Sequence, residues 1–442
     1  MRAGTACSTR PADPAGFWQR EGTDALAVAM SAASVVVRPG VLALADQVVV
    51  SGCNFLTALF LARTLDSDAF GHYTLAFLVC LFLSGLHRAV FTQPMAVLQD
   101  RDRPWLQLAR ARALLEAHWV AIPVAGSLVA ACGLFLYADV CLIAAAILFL
   151  ACLFLQETAR RFFYACGAHQ LALWNDVISY AGQLLLLLPL AALGYLSPAS
   201  AFLAMAASSL LAFVLALRRI ERAHPEPGVD LSVTEVIEEQ WPLSKWLLAT
   251  VLAIWGAGQL YPFLLAPLGA VAVATFSVCL NLLNLLGLVT QSVANCVPGS
   301  AAAILQRHGK AAFRRDLLRT SLLAGCAGGV FVVAVGWLSE PVLHLLYGGR
   351  YDSAANILRT LSIGAACSLM GTVFGAYALA LRDSRSGLFS NLGATVMTFT
   401  VGLWLIGEHA MQGAALGTSL SLATAMTLQA GFVLHRLRRM DA

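Results

Sequence analysis

Charge is what this sequence has least of: Asp, Glu, Lys and Arg make up 12% of its residues, against roughly a quarter in a typical soluble domain. So few charges cannot solvate the whole surface of a soluble globular fold. The period-two alternation of a membrane barrel is missing as well, which leaves helices as the way to satisfy backbone groups in lipid. There is no Gly-x-x-x-x-Gly-Lys-Ser/Thr phosphate loop and no nucleophile elbow, so the parts of a self-contained ATP-driven pump or a serine hydrolase are lacking. The eleven cysteines include no Cys-x-x-Cys, and the histidines show no metal-ligand spacing. The cysteines read as small apolar residues, and neither metal nor cofactor is expected. No segment between apolar runs is long enough for a globular active site, which argues against an enzyme.

What remains is apolar: hydrophobic residues supply 59% of the chain and the mean hydropathy is +0.77. Runs near the roughly 20 residues needed to cross hydrocarbon fall at 40–63, 70–98, 113–137, 139–164, 171–196 and 198–217, then at 243–268, 271–297, 317–346, 353–381, 387–406 and 411–435. Assigning alternate loops to opposite sides puts twenty-four Arg and Lys on one side and only Arg63, Arg350 and Arg359 on the other. Cytoplasmic loops hold the basic residues, so both termini are inside. The fold class expected is all-α: a polytopic membrane protein of about twelve transmembrane helices in two six-helix bundles. Its parts are an N-terminal cytoplasmic segment at 1–38, bundles at 39–217 and 243–435, a linker at 218–242 and a tail at 436–442. Pro225, Pro227 and Gly228 mark the linker, whose Glu-rich end at 234–240 reads as a surface helix or a solvated loop. Residues 25–37 look like the apolar part of a signal peptide, but a full-length span follows at once. Met30 offers a second start, which N-terminal sequencing would decide.

Internal repetition is faint. Leu61-Ala-Arg with Tyr73-Thr-Leu-Ala matches Leu265-Ala-Pro with Phe276-Ser-Val-Cys at an offset of 203 to 204 residues, in the same direction across the membrane, as a parallel duplication requires.

Ionisable residues inside spans are costly and normally face a protein interior or wet cavity. Arg88 lies within the second span beside His87. It reads either as a contact for an anionic substrate or as a structural partner of Glu157 or Asp176. Glu157 and Arg161 stand at i and i+4, in the favourable order for an ion pair. Asp176, Tyr180 and Gln183 share one face of the fifth span, and Gln47, Ser51 and Asn54 one face of the first, with Asp46 to the side. In the eighth, Asn281, Asn284, Gln291 and Asn295 fall within an arc of about 80° at 100° per residue. This stripe reads as a hydrated wall or as interhelical amide bonds. Three Gly-x-x-x-Gly pairs, at 325/329, 371/375 and 413/417, permit close packing.

Several stretches resemble polysaccharide-transporter flippases, the lipid-linked oligosaccharide (O-antigen flippase-like) branch of the multidrug, oligosaccharidyl-lipid and polysaccharide exporter superfamily. They are Asp46 to Ala76 with Phe70-Gly-His-Tyr-Thr-Leu-Ala, Gln240-Trp-Pro-Leu-Ser-Lys-Trp, Leu345-Leu-Tyr-Gly-Gly-Arg-Tyr-Asp and Gly413-Ala-Ala-Leu-Gly417. The resemblance implies two six-helix bundles in a MATE-like V around a cavity open to one side at a time. It also implies transport of a polyprenyl-pyrophosphate-linked glycan across a bacterial inner membrane, with membrane lipids and polysaccharide-assembly proteins as partners and no nucleic acid. Cavities of the family tend to be cationic, which points to Arg88, Arg160 and Arg161 for the pyrophosphate. Asn54, Asn281, Asn284, Gln291 and Asn295 are the candidates for sugar hydroxyls, and Asp46, Glu157 and Asp176 for ion coupling. Many relatives have up to fourteen helices. Two other readings are a multidrug or metabolite cation antiporter of the same superfamily and a membrane-embedded glycan polymerase or ligase.

Overall fold

The computed structural model describes residues 39–98, 104–222, 230–383 and 385–439. The expected cytoplasmic segment at 1–38, part of the linker and the last three residues of the tail lie outside the described residues. Among those described, nine helices are long and apolar enough to cross a membrane, or ten if Val233–Gln259 and Tyr261–Leu268, bent by 46°, form one span. Two of the ten are double-length, and each contains one residue of non-helical backbone, Gly309 or Ala410. Twelve rods result: α1 (Pro39–Thr64), α2 (67–97), α3 (Pro104–Leu136), α4 (Val140–Ala165), α5 (169–192), α6 (Pro198–Arg222), α7 (233–268), α8 (270–308), α9 (310–347), α10 (352–380), α11 (385–409) and α12 (411–439).

The expected spans are all present, but several rods outrun them. α3 begins at Pro104 rather than 113, α7 at Val233 rather than 243, and α8 and α9 nearly meet at Gly309. An apolar run marks only the part of a helix inside hydrocarbon, whereas the helix continues into water wherever its ends are capped. At α7 the cap is a capping box. The Ser232 hydroxyl accepts from Glu235 N–H, and the Glu235 carboxylate accepts from Ser232 N–H at 2.8 Å. These bonds, the backbone one first, hold the Glu235 carboxyl below its usual range. The Glu-rich stretch is thus the first turns of α7, neither a separate surface helix nor a loop. At Gly309 φ is +76°, a left-handed value that glycine alone adopts without cost.

α1–α6 pack on one another, as do α7–α12, and the halves meet where α7 and α8 lie against α1, α2 and α3. At the arginine-poor end the seam is tight. A Cβ placed on Gly71 of α2 would come within 2.0 Å of the Ala270 carbonyl oxygen at the start of α8. Asn281 Nδ2 donates to Phe55 O at 3.4 Å, and the Arg350 guanidinium donates to the Ala62 and Leu65 carbonyls that end α1. At the arginine-rich end α7 carries the contact instead. Arg110 pairs with Glu239 at 2.5 Å, and Ser244 Oγ donates to Val90 O at 3.3 Å.

Four rods contain one wide π turn each: Arg88–Thr92 in α2, Val177–Ala181 in α5, Trp255–Gln259 in α7 and Thr398–Gly402 in α11. Such turns free carbonyls that lipid cannot satisfy. Neighbouring hydroxyls take them up: Ser244 at Val90, Thr395 at Ala253 and Thr398 at Ala257. π turns concentrate at functional sites, and the first of these opens with Arg88.

Candidate functional site

The last turns of α4 bring Gln156, Glu157, Arg160, Arg161 and Tyr164 against α1 and α5. Arg160 is the centre. Its Nη2 donates to Asp46 at 2.7 Å, its Nη1 to Glu157 at 3.1 Å, and its Nε stands 2.5 Å from Asp176. Tyr164 donates its phenol to Asp46 at 2.5 Å and sets its ring 5.6 Å from the Arg160 guanidinium. Gln156 Nε2 donates to Asn175 at 2.7 Å and to Asp176 at 3.0 Å. Asp46, Glu157, Arg160 and Asp176 are all buried. A planar guanidinium is the cation suited to several carboxylates at once, because its donors fan out in a fixed plane.

The three ion-coupling candidates are therefore together, around a cation expected elsewhere. Arg160 was a candidate for pyrophosphate, yet each of its nitrogens faces a carboxylate and little of it reaches solvent. Arg161 sits at the edge, with Nε 3.8 Å from Glu157.

Arg88 does not close this cluster. Glu157 and Asp176 take Arg160 as their partner, and Arg88, half-buried, has no hydrogen bond or ion pair among the described residues, although it lies within electrostatic range of Glu157. Beside it is a feature that the sequence reading missed. His87 and His118 approach through their Nε2 atoms at 3.0 Å, with His87 stacked 4.1 Å from the Phe154 ring. His118 Nδ1 lies 2.6 Å from Leu114 O, so Nδ1 carries the hydrogen and Nε2 accepts from His87. His87 Nδ1 is left as a buried acceptor with no partner among the described residues. His118 was visible as a polar residue in the apolar run of the third span; Tyr164 and Asn175, one turn or one residue from charged groups, were visible too.

The sugar-binding candidates do not converge on the charged cluster. Asn281 bonds across to α1, while Asn284, Gln291 and Asn295 are exposed and Gln291 donates to Asn295 at 3.3 Å. Asn54 is half-buried on α1. The α8 stripe thus starts in the tight seam at Asn281 and runs out to exposed amides toward the arginine-rich end.

No family model matches this sequence, and no curated protein matches it. Solved structures do match the fold. A lipid II flippase, MurJ, in an inward closed conformation aligns over 90% of this chain and 89% of its own, with a TM-score of 0.66 at 10% identity. An inward-facing multidrug resistance MATE family transporter of the MOP superfamily aligns over 94% and 98%, at 0.64 and 14%. A MOP superfamily transporter from Pyrococcus furiosus, described as having a binding pocket of reverse polarity, aligns over 92% and 96%, at 0.61 and 14%. The chain is a multi-pass helical membrane protein, and its fold is the one shared by MATE and lipid II flippase transporters of the MOP superfamily.

Proposed function

We propose that this protein flips a polyprenyl-pyrophosphate-linked glycan across the bacterial inner membrane by alternating access of its two bundles. The observation that carries the reading is the disposition of charge in the first bundle. The three carboxylates that an organic-cation antiporter would present to its substrate are already gathered around Arg160. Arg88, half-buried within the second span, is a positive charge with no hydrogen bond or ion pair among the described residues. A half-buried guanidinium at a π turn suits a pyrophosphate, which it can grip through two parallel hydrogen bonds. The motifs of the first, seventh and twelfth spans and of the turn from α9 to α10, with the fold shared with a lipid II flippase, support the same substrate class. The exposed amides of α8 meet sugar hydroxyls, and the lipid tail stays in the bilayer. Arg160 serves as the fixed counter-charge of the coupling site formed with Asp46, Glu157 and Asp176, while Arg161 remains at its rim.

The test is Arg88→Ala and Arg88→Lys in a glycan-export assay with protein abundance measured alongside. Export falls by roughly tenfold or more in the alanine variant and is partly retained in the lysine variant. Normal export in both removes Arg88 from the mechanism. Drug susceptibility of a deletion strain tests the cation-antiporter reading, which the fold shared with multidrug MATE transporters keeps in view.

A further inference from the structure

The second bundle encloses a polar cavity. In chain order α7, α10 and α11 hold in the second half the places of α1, α4 and α5 in the first. At the repeat offset of 204 residues Asp46 falls on Thr250. Gly371 and Gly375 of α10 border this cavity of about 520 Å³, which lies between α7, α8, α10, α11 and α12. That volume is within the roughly 300–1,000 Å³ of small-ligand sites.

The hydrogen-bond directions of its wall specify the ligand. Thr250 and Thr372 donate their hydroxyl protons to the carbonyls of Trp246 and Ser368, at 2.9 and 3.0 Å. Asn391 donates Nδ2 to Gly387 O at 2.8 Å, and Gln429 donates Nε2 to Ser386 at 3.2 Å. Thr250 and Thr372 therefore keep lone-pair oxygens for further partners, while the Asn391 and Gln429 amides keep both an oxygen and a second N–H. Ser390 Oγ, 2% exposed, has no hydrogen-bond partner among the described residues. A wall that both donates and accepts suits hydroxyl groups, which do the same. The carboxylate at the cavity, Asp383, accepts from Ser386 N–H at 3.2 Å at the start of α11 and adds an acceptor to the wall. Aliphatic side chains such as Leu388 and Leu422 complete the lining. Neutral hydroxyls on a carbon ring fit both parts of this surface, and Ala294, between Gln291 and Asn295, brings the cavity to the amide stripe of α8.

We infer that this cavity seats one sugar ring, whose hydroxyls bond to the side chains of Thr250, Thr372, Ser390, Asn391 and Gln429. That the ring belongs to a lipid-linked glycan rests on the function proposed above; that the cavity takes a neutral polyol does not.

The experiment uses the full chain in nanodiscs and three probes: a polyprenyl pyrophosphate without sugar, the same carrier bearing a hexose-containing glycan, and a panel of free methyl hexosides. Gly375→Leu fills the cavity, since a Cβ there meets only Gln429 Nε2 at an ordinary 3.8 Å. Ser390→Ala removes a free hydroxyl with almost no change in shape. The glycosylated carrier should bind about tenfold or more tightly than the bare one. That advantage should vanish in Gly375→Leu and shrink in Ser390→Ala, with affinity for the bare carrier unchanged. Equal affinity for the two carriers in the parent, or a full advantage in Gly375→Leu, overturns the inference and leaves the flippase reading standing. If neither carrier binds, the flippase reading falls; hexoside binding lost in Gly375→Leu then upholds the cavity as a free-sugar site, and absent hexoside binding overturns it too.

Discussion

Asp46, Glu157 and Asp176 share one Arg160, and removing one partner of a buried ion pair costs roughly 3–5 kcal/mol because the other charge is left uncompensated. Arg160→Met should therefore lower the thermal midpoint of the purified protein sharply and reduce its abundance in the membrane. Arg161→Met, facing one carboxylate at 3.8 Å from a half-exposed position, should cost less than about 1 kcal/mol. Equal losses in fluorescence-detected thermal unfolding would contradict the central place given to Arg160. The acids themselves were legible in the sequence, since ionisable residues in apolar runs stand out. Their common partner was not. Arg160 and Arg161 lie side by side near the basic end of α4, where a topological role accounts for any arginine, and only the fold shows that one points inward to α1 and α5 while the other stays at the edge. The His87–His118 pair escaped for a related reason, because its members are thirty-one residues apart on different helices.

At the scale of helices, small-residue spacing proved a poor guide to packing. The pair at 325/329 has nothing within 4 Å of an added Cβ at either glycine, whereas a Cβ on Gly413 would come within 1.9 Å of the Leu405 carbonyl oxygen and one on Gly417 within 2.8 Å of the Tyr261 hydroxyl. The spacing states what a helix permits, and the neighbour decides whether the permission is used. Gly413→Ala should consequently destabilise by roughly 1–3 kcal/mol through overpacking, with Gly325→Ala within about 0.5 kcal/mol of the parent; thermal unfolding in detergent compares them. Helix existence was legible from apolar length alone. Helix ends were not, because the cytoplasmic extensions of α3, α7, α8 and α9 are too polar to register as spans and are held by caps and by contacts such as Arg110–Glu239.

For the molecule as a whole, the seam between halves is closed at the arginine-poor end by backbone contact at Gly71 and by Arg350 reaching the final carbonyls of α1. Arg350→Ala removes a cap that spans both bundles, so it should loosen the outer seal. In a background with the native cysteines replaced, a cysteine at Asn281 should react slowly with a membrane-impermeant maleimide from outside, and several-fold faster once Arg350 is alanine. Unchanged slow labelling would show that the seal does not depend on this arginine. The two-bundle plan was readable from the alternation of basic loops, but the hollow in the second bundle was not, because it arises from glycines on α10 opposite polar groups on helices far away in sequence. The α8–α9 pair carries one more consequence. Each rod has nearly forty residues, or roughly 58 Å of helix, while the hydrocarbon it crosses is about 30 Å thick. The elbow at Gly309 must then stand well clear of the bilayer, carrying Arg307, Lys310, Arg314, Arg315 and Arg319 on its flanks. Anionic head groups attract a basic residue by about 1 kcal/mol only within a Debye length of the surface, so Arg319, ten residues below the elbow on α9, feels the leaflet most, and that pull reaches the elbow and the α8 amide face only through rigid helix.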